Sequence, residues 1–232
     1  MPEPFRVEIS AQQSTTVLVY RAAATQPVGV TLTLGHGAGA GQTTGFMTSF
    51  AVGLSARGIE TITFNFLYSE QGHRLPDPND RLEACWRAVI EAVRAGMKSH
   101  DNALAIGGKS MGGRFASQVA AAGIGELAGL VFLGYPLHPP GRSDRLRAKH
   151  LPEVRAPMLF VQGSRDVFGT PDELRPIVTS LEPPADLYVV EGGDHSLKVR
   201  KGAGVHQEDI YGTVQDQIAA WLRGIAAVRR ER

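Results

Sequence analysis

Hydrophobic positions along the chain switch between two spacings. Short apolar runs at 17–20, 28–34, 59–64, 103–106, 130–133, 158–161 and 187–190 have the length and composition of buried strands. Between them, apolar residues recur at steps of three and four. Phe46, Met47, Phe50 and Leu54 share one helical face, and Gly58 stops that helix. Leu82, Cys85, Trp86, Val89 and Val93 mark a helix that Pro78 opens, and Ile210, Val214, Ile218, Trp221 and Ile225 mark a closing one. Residues 111–122 and 171–181 add two more, with Thr170 placed to cap the second and Pro171 in its first position. An early hairpin pairs 7–9 with 17–20. Strands alternating with helices predict an α/β fold in one domain over 1–232, a mostly parallel, doubly wound sheet flanked by helices. In such sheets sites form at the C-terminal ends of strands, so chemistry is sought there.

The strand at 103–106 runs into Gly107-Gly108-Lys109-Ser110-Met111-Gly112-Gly113. Gly108, Ser110 and Gly112 make a G-x-S-x-G between a strand and a helix. That sharp turn holds its serine in a strained conformation with the oxygen exposed, and the glycines let it close against its neighbours. Gly-Lys-Ser is not a phosphate loop here, because position 103, where that motif needs glycine, is alanine.

The strand at 28–34 runs into Gly35-His36-Gly37-Ala38-Gly39-Ala40-Gly41. Gly35, Gly37 and Ala40 meet a loose dinucleotide fingerprint, but the next strand ends in Phe64-Asn65-Phe66, without the carboxylate that holds a ribose. The rival reading is a row of backbone N–H groups beside the nucleophile. Ala38 and Met111 are then the oxyanion donors, with Gly39 as a substitute for Ala38. A glycine-rich turn that binds nothing is the bland alternative. His36 either orients this loop or lines a pocket with Lys109 and His138.

Two later strand ends supply the other groups. Gln162-Gly163-Ser164-Arg165-Asp166 places an aspartate where it can reach an imidazole across the sheet edge, with Asp144 as reserve acid. Glu191-Gly192-Gly193-Asp194-His195-Ser196 places His195 in a flexible, glycine-rich loop before the closing helix. The order Ser110, Asp166, His195 matches the Ser, acid, His order of one hydrolase architecture. His73, His100, His150 and His206 are expected at the surface, and Cys85 in the core.

Composition narrows the choice. The apolar fraction is 43%, so the chain folds, and a net charge of +1 gives no global field for nucleic acid. A single cysteine excludes an internal disulfide and argues against a cysteine-based zinc site. No metal site and no cofactor are expected, and neither is a membrane partner. The N-terminal residues lack the shape of a signal peptide, so a cytoplasmic location is expected.

On these motifs the chain resembles the α/β-hydrolase superfamily over nearly its whole length, and within it the dienelactone-hydrolase-like group. Gly35-His36-Gly37-Ala38-Gly39, Gly108 to Arg114, Tyr135 to Gly141 and Gly193 to Lys198 are similar to one branch of that group. The branch includes bacterial hydrolases of unassigned substrate, a testis-expressed animal protein and a subunit of a chromatin-modifying complex. The resemblance implies Ser110, Asp166 and His195 as a catalytic triad. It also implies a short lid-like insertion at 134–156 in place of a separate cap domain. Dienelactone hydrolases proper carry cysteine at the elbow where this chain has Ser110, so their substrate does not transfer.

The expected function is a serine hydrolase, a carboxylesterase for small or medium acyl esters, with a small-molecule ester as partner. A non-catalytic scaffold on the same fold is the alternative. The segment 134–156 carries Arg142, Arg145, Arg147, Lys149 and Arg155 against Asp144 and Glu153. It is either a solvated loop or a basic rim that favours acidic esters.

Overall fold

The structure is a computed structural model that describes residues 1–23, 27–97, 102–200 and 206–230. Eight strands form one sheet in the order β1-β2-β4-β3-β5-β6-β7-β8. β1 (Glu3–Ser10) and β2 (Gln13–Tyr20) form the antiparallel hairpin, longer than the apolar run alone predicts, and β2 pairs antiparallel with β4 (Glu60–Phe64). From β4 onward every pairing is parallel: β3 (Val30–Gly35), β5 (Ala103–Lys109), β6 (Gly129–Leu133), β7 (Met158–Gly163) and β8 (Asp186–Val190).

Helices cover both faces. α1 (Gly45–Ala56) and the last helix, α6 (Gln207–Arg230), pack on one face through Phe50, Leu54, Val214 and Ile218. A one-turn α2 (Leu67–Glu70) leads into α3 (Asn79–Met97), which lies with α4 (Met111–Ala121) and α5 (Pro171–Thr179) on the other face. The α3 stripe places Leu82, Cys85, Trp86 and Val89 inside. Each large apolar side chain so buried contributes roughly 1.5–3 kcal/mol. Thr170 caps α5 by accepting from the Glu173 N–H, while the Glu173 carboxylate accepts from the Thr170 N–H.

The strands β3, β5, β6 and β7 are buried on both faces. β5, β6 and β7 are mostly apolar runs, whereas β3 alternates Val30, Leu32 and Leu34 with the buried hydroxyl residues Thr31 and Thr33. Their carboxyl ends finish side by side, with Gly35 in register with Gly108 and Lys109 with Leu133. Residues 134–156 form no domain of their own. They hold only a 3₁₀ turn, Leu151–Glu153, and lie against the sheet through Tyr135, Leu137 and Leu151, all buried. Among the described residues, no helix is long and apolar enough to cross a membrane.

Candidate active site

The turn from β5 to α4 sets the site. Ser110 has φ 50° and ψ −114°, a left-handed conformation that costs a side-chain-bearing residue about 1–3 kcal/mol. Its neighbours allow this only because they are glycine. A Cβ on Gly108 or on Gly112 would collide with the Gly35 carbonyl oxygen, so β3, β5 and α4 meet backbone to backbone. Trp86 braces the junction from α3, donating from Nε1 to the Gly112 carbonyl at 3.2 Å. Ser110 thus sits at the mouth of α4, whose positive end faces the same space.

The other two groups arrive from the loops that follow β7 and β8, on the far side of β6 from β5. His195 Nε2 lies 2.8 Å from Ser110 Oγ, and His195 Nδ1 lies 2.7 Å from Asp166 Oδ2. Asp166 is 1% exposed and is held on both oxygens: Gln162 Nε2 donates to Oδ2 at 2.8 Å, and the Phe168 N–H donates to Oδ1 at 2.9 Å. Gln162 also donates to the Tyr135 and Gly169 carbonyls and accepts from the Tyr135 N–H, so one buried amide ties three segments together. The Phe168 ring lies against the imidazole, centroids 4.2 Å apart.

The loop that carries His195 is not slack. Asp194 Oδ1 accepts from the N–H groups of Ser196 and Lys198, Tyr211 donates to the Ser196 carbonyl at 3.1 Å, and Lys109 Nζ donates to the His195 carbonyl at 2.6 Å. Gly193 serves close approach, since a Cβ there would meet the Val190 carbonyl oxygen at 2.9 Å and the Gly163 Cα at 3.2 Å, and Gly163 at the end of β7 leaves room for the Asp194 and Gly193 carbonyls in the same way. Lys109 is buried, and that burial pushes its ammonium down to about 8, opposed by the charges of Asp166 and Asp194.

A cavity of about 630 Å³ opens over Ser110 and His195. Ala38 and Met111 both line it. Met111 begins α4, so its N–H has no acceptor within the helix. Gly39 does not line the cavity; a Cβ there would point at the Arg74 carbonyl. Of the three pocket residues named from sequence, Lys109 alone reaches the cavity wall. His36 is fully buried, with Nδ1 donating to the Gly37 carbonyl at 2.8 Å and Nε2 accepting from the Phe66 N–H at 3.1 Å. Both ring atoms are used to hold the glycine loop, and burial pushes the imidazole down to about 4. His138 lies behind the Phe168 loop: its Nδ1 bonds the Pro139 carbonyl, its N–H bonds the Phe168 carbonyl, and Nε2 stands 3.3 Å from Glu173.

Asp144, the reserve acid, is exposed and paired with Arg142 at 3.1 Å, away from the imidazole. His150 is half-buried and bonded to Ser117 Oγ at 2.7 Å, so it departs from the surface position expected of it. His73 and His206 are exposed, and His100 lies outside the described residues. Gln162 and Phe168 were not singled out from sequence. The available signal for Gln162 was a lone amide ending an otherwise apolar strand, Met-Leu-Phe-Val-Gln.

A nucleophile on a sharp strand-to-helix turn, followed in chain order by a buried acid and a loop imidazole, defines the α/β-hydrolase class. The chain belongs to it: the model of the α/β hydrolase domain family matches residues 28–223. Solved structures share the fold. A serine hydrolase homologue from Coxiella burnetii superposes with TM-score 0.72 at 18% identity, covering 94% of this chain and 96% of that one. A lidless α/β serine hydrolase from Xanthomonas campestris gives 0.70 at 22%, covering 99% and 94%. A dienelactone hydrolase from Anabaena variabilis gives 0.70 at 17%, covering 95% and 96%.

Proposed function

We propose that this chain is a serine carboxylesterase acting on small or medium acyl esters through Ser110, His195 and Asp166. The observation that carries the proposal is the unbroken chain of hydrogen bonds from Ser110 Oγ to His195 Nε2 and from His195 Nδ1 to Asp166 Oδ2. His195 Nε2 accepts the Ser110 proton as Oγ forms a bond to the ester carbonyl carbon. Asp166 accepts from Nδ1–H, which fixes the tautomer and stabilises the imidazolium. Gln162 and the Phe168 N–H hold that carboxylate in place.

The carbonyl oxygen gains negative charge within reach of the Ala38 and Met111 N–H groups, at the positive end of α4. Each such donor is worth roughly 3–4 kcal/mol of barrier. His195 then passes its proton to the departing alkoxide as the carbon–oxygen bond breaks, leaving Ser110 acylated. In the second half His195 takes a proton from water as the water oxygen bonds the acyl carbon. It then returns that proton to Ser110 Oγ as the acyl carbon–Oγ bond breaks, which releases the acid and restores the enzyme. The ester chemistry reaches this chain by analogy with its fold class and by the open cavity of about 630 Å³, enough for a small acyl group and alcohol.

A fluorophosphonate probe and a series of p-nitrophenyl esters of rising chain length test the proposal. Wild type is expected to label and to hydrolyse the short esters. Ser110→Ala is expected to lose labelling and to lose turnover by on the order of 10⁴–10⁶-fold. Equal labelling of the two proteins would leave the fold as a scaffold without an activated serine.

A further inference from the structure

The cavity over Ser110 carries more positive charge than the proposed chemistry uses. Lys109, Arg114 and Arg147 line it, and Asp77 is the carboxylate among its lining residues. Asp77 is already engaged, paired with Arg81 at 3.1 Å and accepting from the Tyr68 N–H at 2.9 Å. Lys109 is spent on the His195 carbonyl.

The two arginines differ from the rest of the basic segment. Arg142 is exposed and paired with Asp144, and Arg145 and Lys149 are exposed. Arg114 and Arg147 are half-buried, and among the described residues neither guanidinium has a carboxylate within ion-pair distance or a side-chain hydrogen bond. Arg114 stands one turn along α4 from the nucleophile, its N–H bonded to the Ser110 carbonyl at 3.0 Å, and its guanidinium lies 4.3 Å from the Phe115 ring centre. Arg147 reaches the same cavity from the short insertion, where its N–H bonds the Leu137 carbonyl and its carbonyl accepts from Tyr135 Oη.

Burial and the charge of Arg147 both press on the Arg114 cation, with Glu83 the nearby opposing carboxylate. The neighbouring His150 cannot relieve it, since its ring is bonded to Ser117 and disfavours a proton beside Arg114. Two half-desolvated guanidiniums without anions are costly, and a carboxylate is the planar two-oxygen anion whose geometry suits a guanidinium fork.

We propose that Arg114 and Arg147 form an anion subsite in the Ser110 cavity that takes a carboxylate carried by the substrate. The substrate class is thus an acidic ester, such as a monoester of a dicarboxylic acid or an ester of a hydroxy acid. This subsite rests on the esterase reading for its role in turnover, but its binding of an anion does not.

Two matched substrate pairs read the proposal. One compares p-nitrophenyl hydrogen glutarate with p-nitrophenyl valerate; the other compares m-carboxyphenyl butyrate with phenyl butyrate. In wild type, kcat/KM is expected to favour the acidic member of at least one pair. In Arg114→Gln/Arg147→Gln that ratio is expected to fall roughly 10- to 100-fold, the loss of charged hydrogen bonds. Because each ratio is taken within one protein, a partly folded variant does not mimic the result. Arg147→Glu is expected to invert the preference. No acidic preference in either pair, or one that survives both glutamines, overturns the subsite while leaving the esterase intact.

Glutarate alone separates the two proposals. It is expected to raise the Tm of wild type and not of the double variant, whether or not any ester turns over. Turnover of no ester with a glutarate shift present would sink the esterase reading alone. No shift in wild type overturns the subsite.

Discussion

The two ends of the sheet carry concavities of opposite character. At the carboxyl ends of β3 and β5 the cavity is about 630 Å³ and holds Ser110, His195 and three cations. At the far end, where β6 and β7 begin, a groove of about 970 Å³ is lined by α6, the loop after α4 and the segment before β7. Trp221, Ile225 and Val228 give it an apolar wall, and the charges of Glu126 and Glu153 balance those of Arg155 and Arg229. The larger one contains no nucleophile with a base beside it. Size therefore does not mark the candidate site in this molecule; backbone direction does. Parallel strands and the helices that follow them present helix N-termini and free N–H groups at one end, and helix C-termini with carbonyls at the other. Ser110 stands at the start of α4, while Ala120 and Ala121 at the finish of the same helix face the groove.

The largest break of this contrast is at Asp166. Asp166→Asn keeps the shape but presents an amide to His195 Nδ1, which favours the wrong tautomer. Turnover of p-nitrophenyl acetate is expected to drop about 10⁴-fold. Stability should change far less, because the new side chain keeps the volume of the old one and its oxygen can still accept from the Phe168 N–H, while Gln162 keeps its bonds to Tyr135 and Gly169. A drop below tenfold would show that the imidazole is oriented by the Phe168 ring and the tied loop instead of by the carboxylate.

The element pattern was legible because both faces of the sheet are covered, so buried strands and one-sided helices leave clear periods in the chain. The elbow was legible for a similar reason. Only glycine fits where the backbones of Gly35, Gly108 and Gly112 meet, and that need is written directly as residue type. What pattern does not carry is direction. The glycine loop offered both Ala38 and Gly39 as donors, and only the fold shows that Ala38 lines the cavity while Gly39 does not. His36 and His195 both follow a strand end in a glycine-rich stretch. One has its ring spent on the backbone, and the other has Nε2 free to face a hydroxyl. Gln162 stayed hidden because its four bonds, two to Tyr135 in another segment and one each to Asp166 and Gly169 round the following turn, exist only once the chain has folded.

That difference between the two histidines has a measurable consequence. His36 titrates at about 4 in the folded protein, below its ordinary value of 6.5, because burial disfavours its charged form. Between those values the unfolded chain binds the proton and the folded one does not. Stability is thus fully present above pH 6.5 and lost as pH falls toward 4, by up to roughly 3 kcal/mol from this site. His150, also pushed down to about 4, adds to the same slope. Urea titrations between pH 7 and 4 should show a shallower slope in His36→Gln, whose amide can both donate to Gly37 and accept from Phe66. An unchanged slope would place the acid sensitivity elsewhere.

The smallest expected effect tests the far end. Gly224 lies in α6 at the groove, exposed, and an added Cβ there meets no heavy atom within 4 Å. Gly224→Ala removes a flexible residue from a helix interior without a clash, which is worth about 0.8–1 kcal/mol. For a chain of this size that raises Tm by about 2–4 °C. Because the groove shares no hydrogen-bonded group with Ser110, His195 or Asp166, kcat/KM should stay within about twofold of wild type. A higher Tm with unchanged turnover means that the two ends are energetically separate. A loss of turnover on adding one methyl at Gly224 would mean that α6 transmits strain through Tyr211, which bonds the Ser196 carbonyl, to the loop that carries His195.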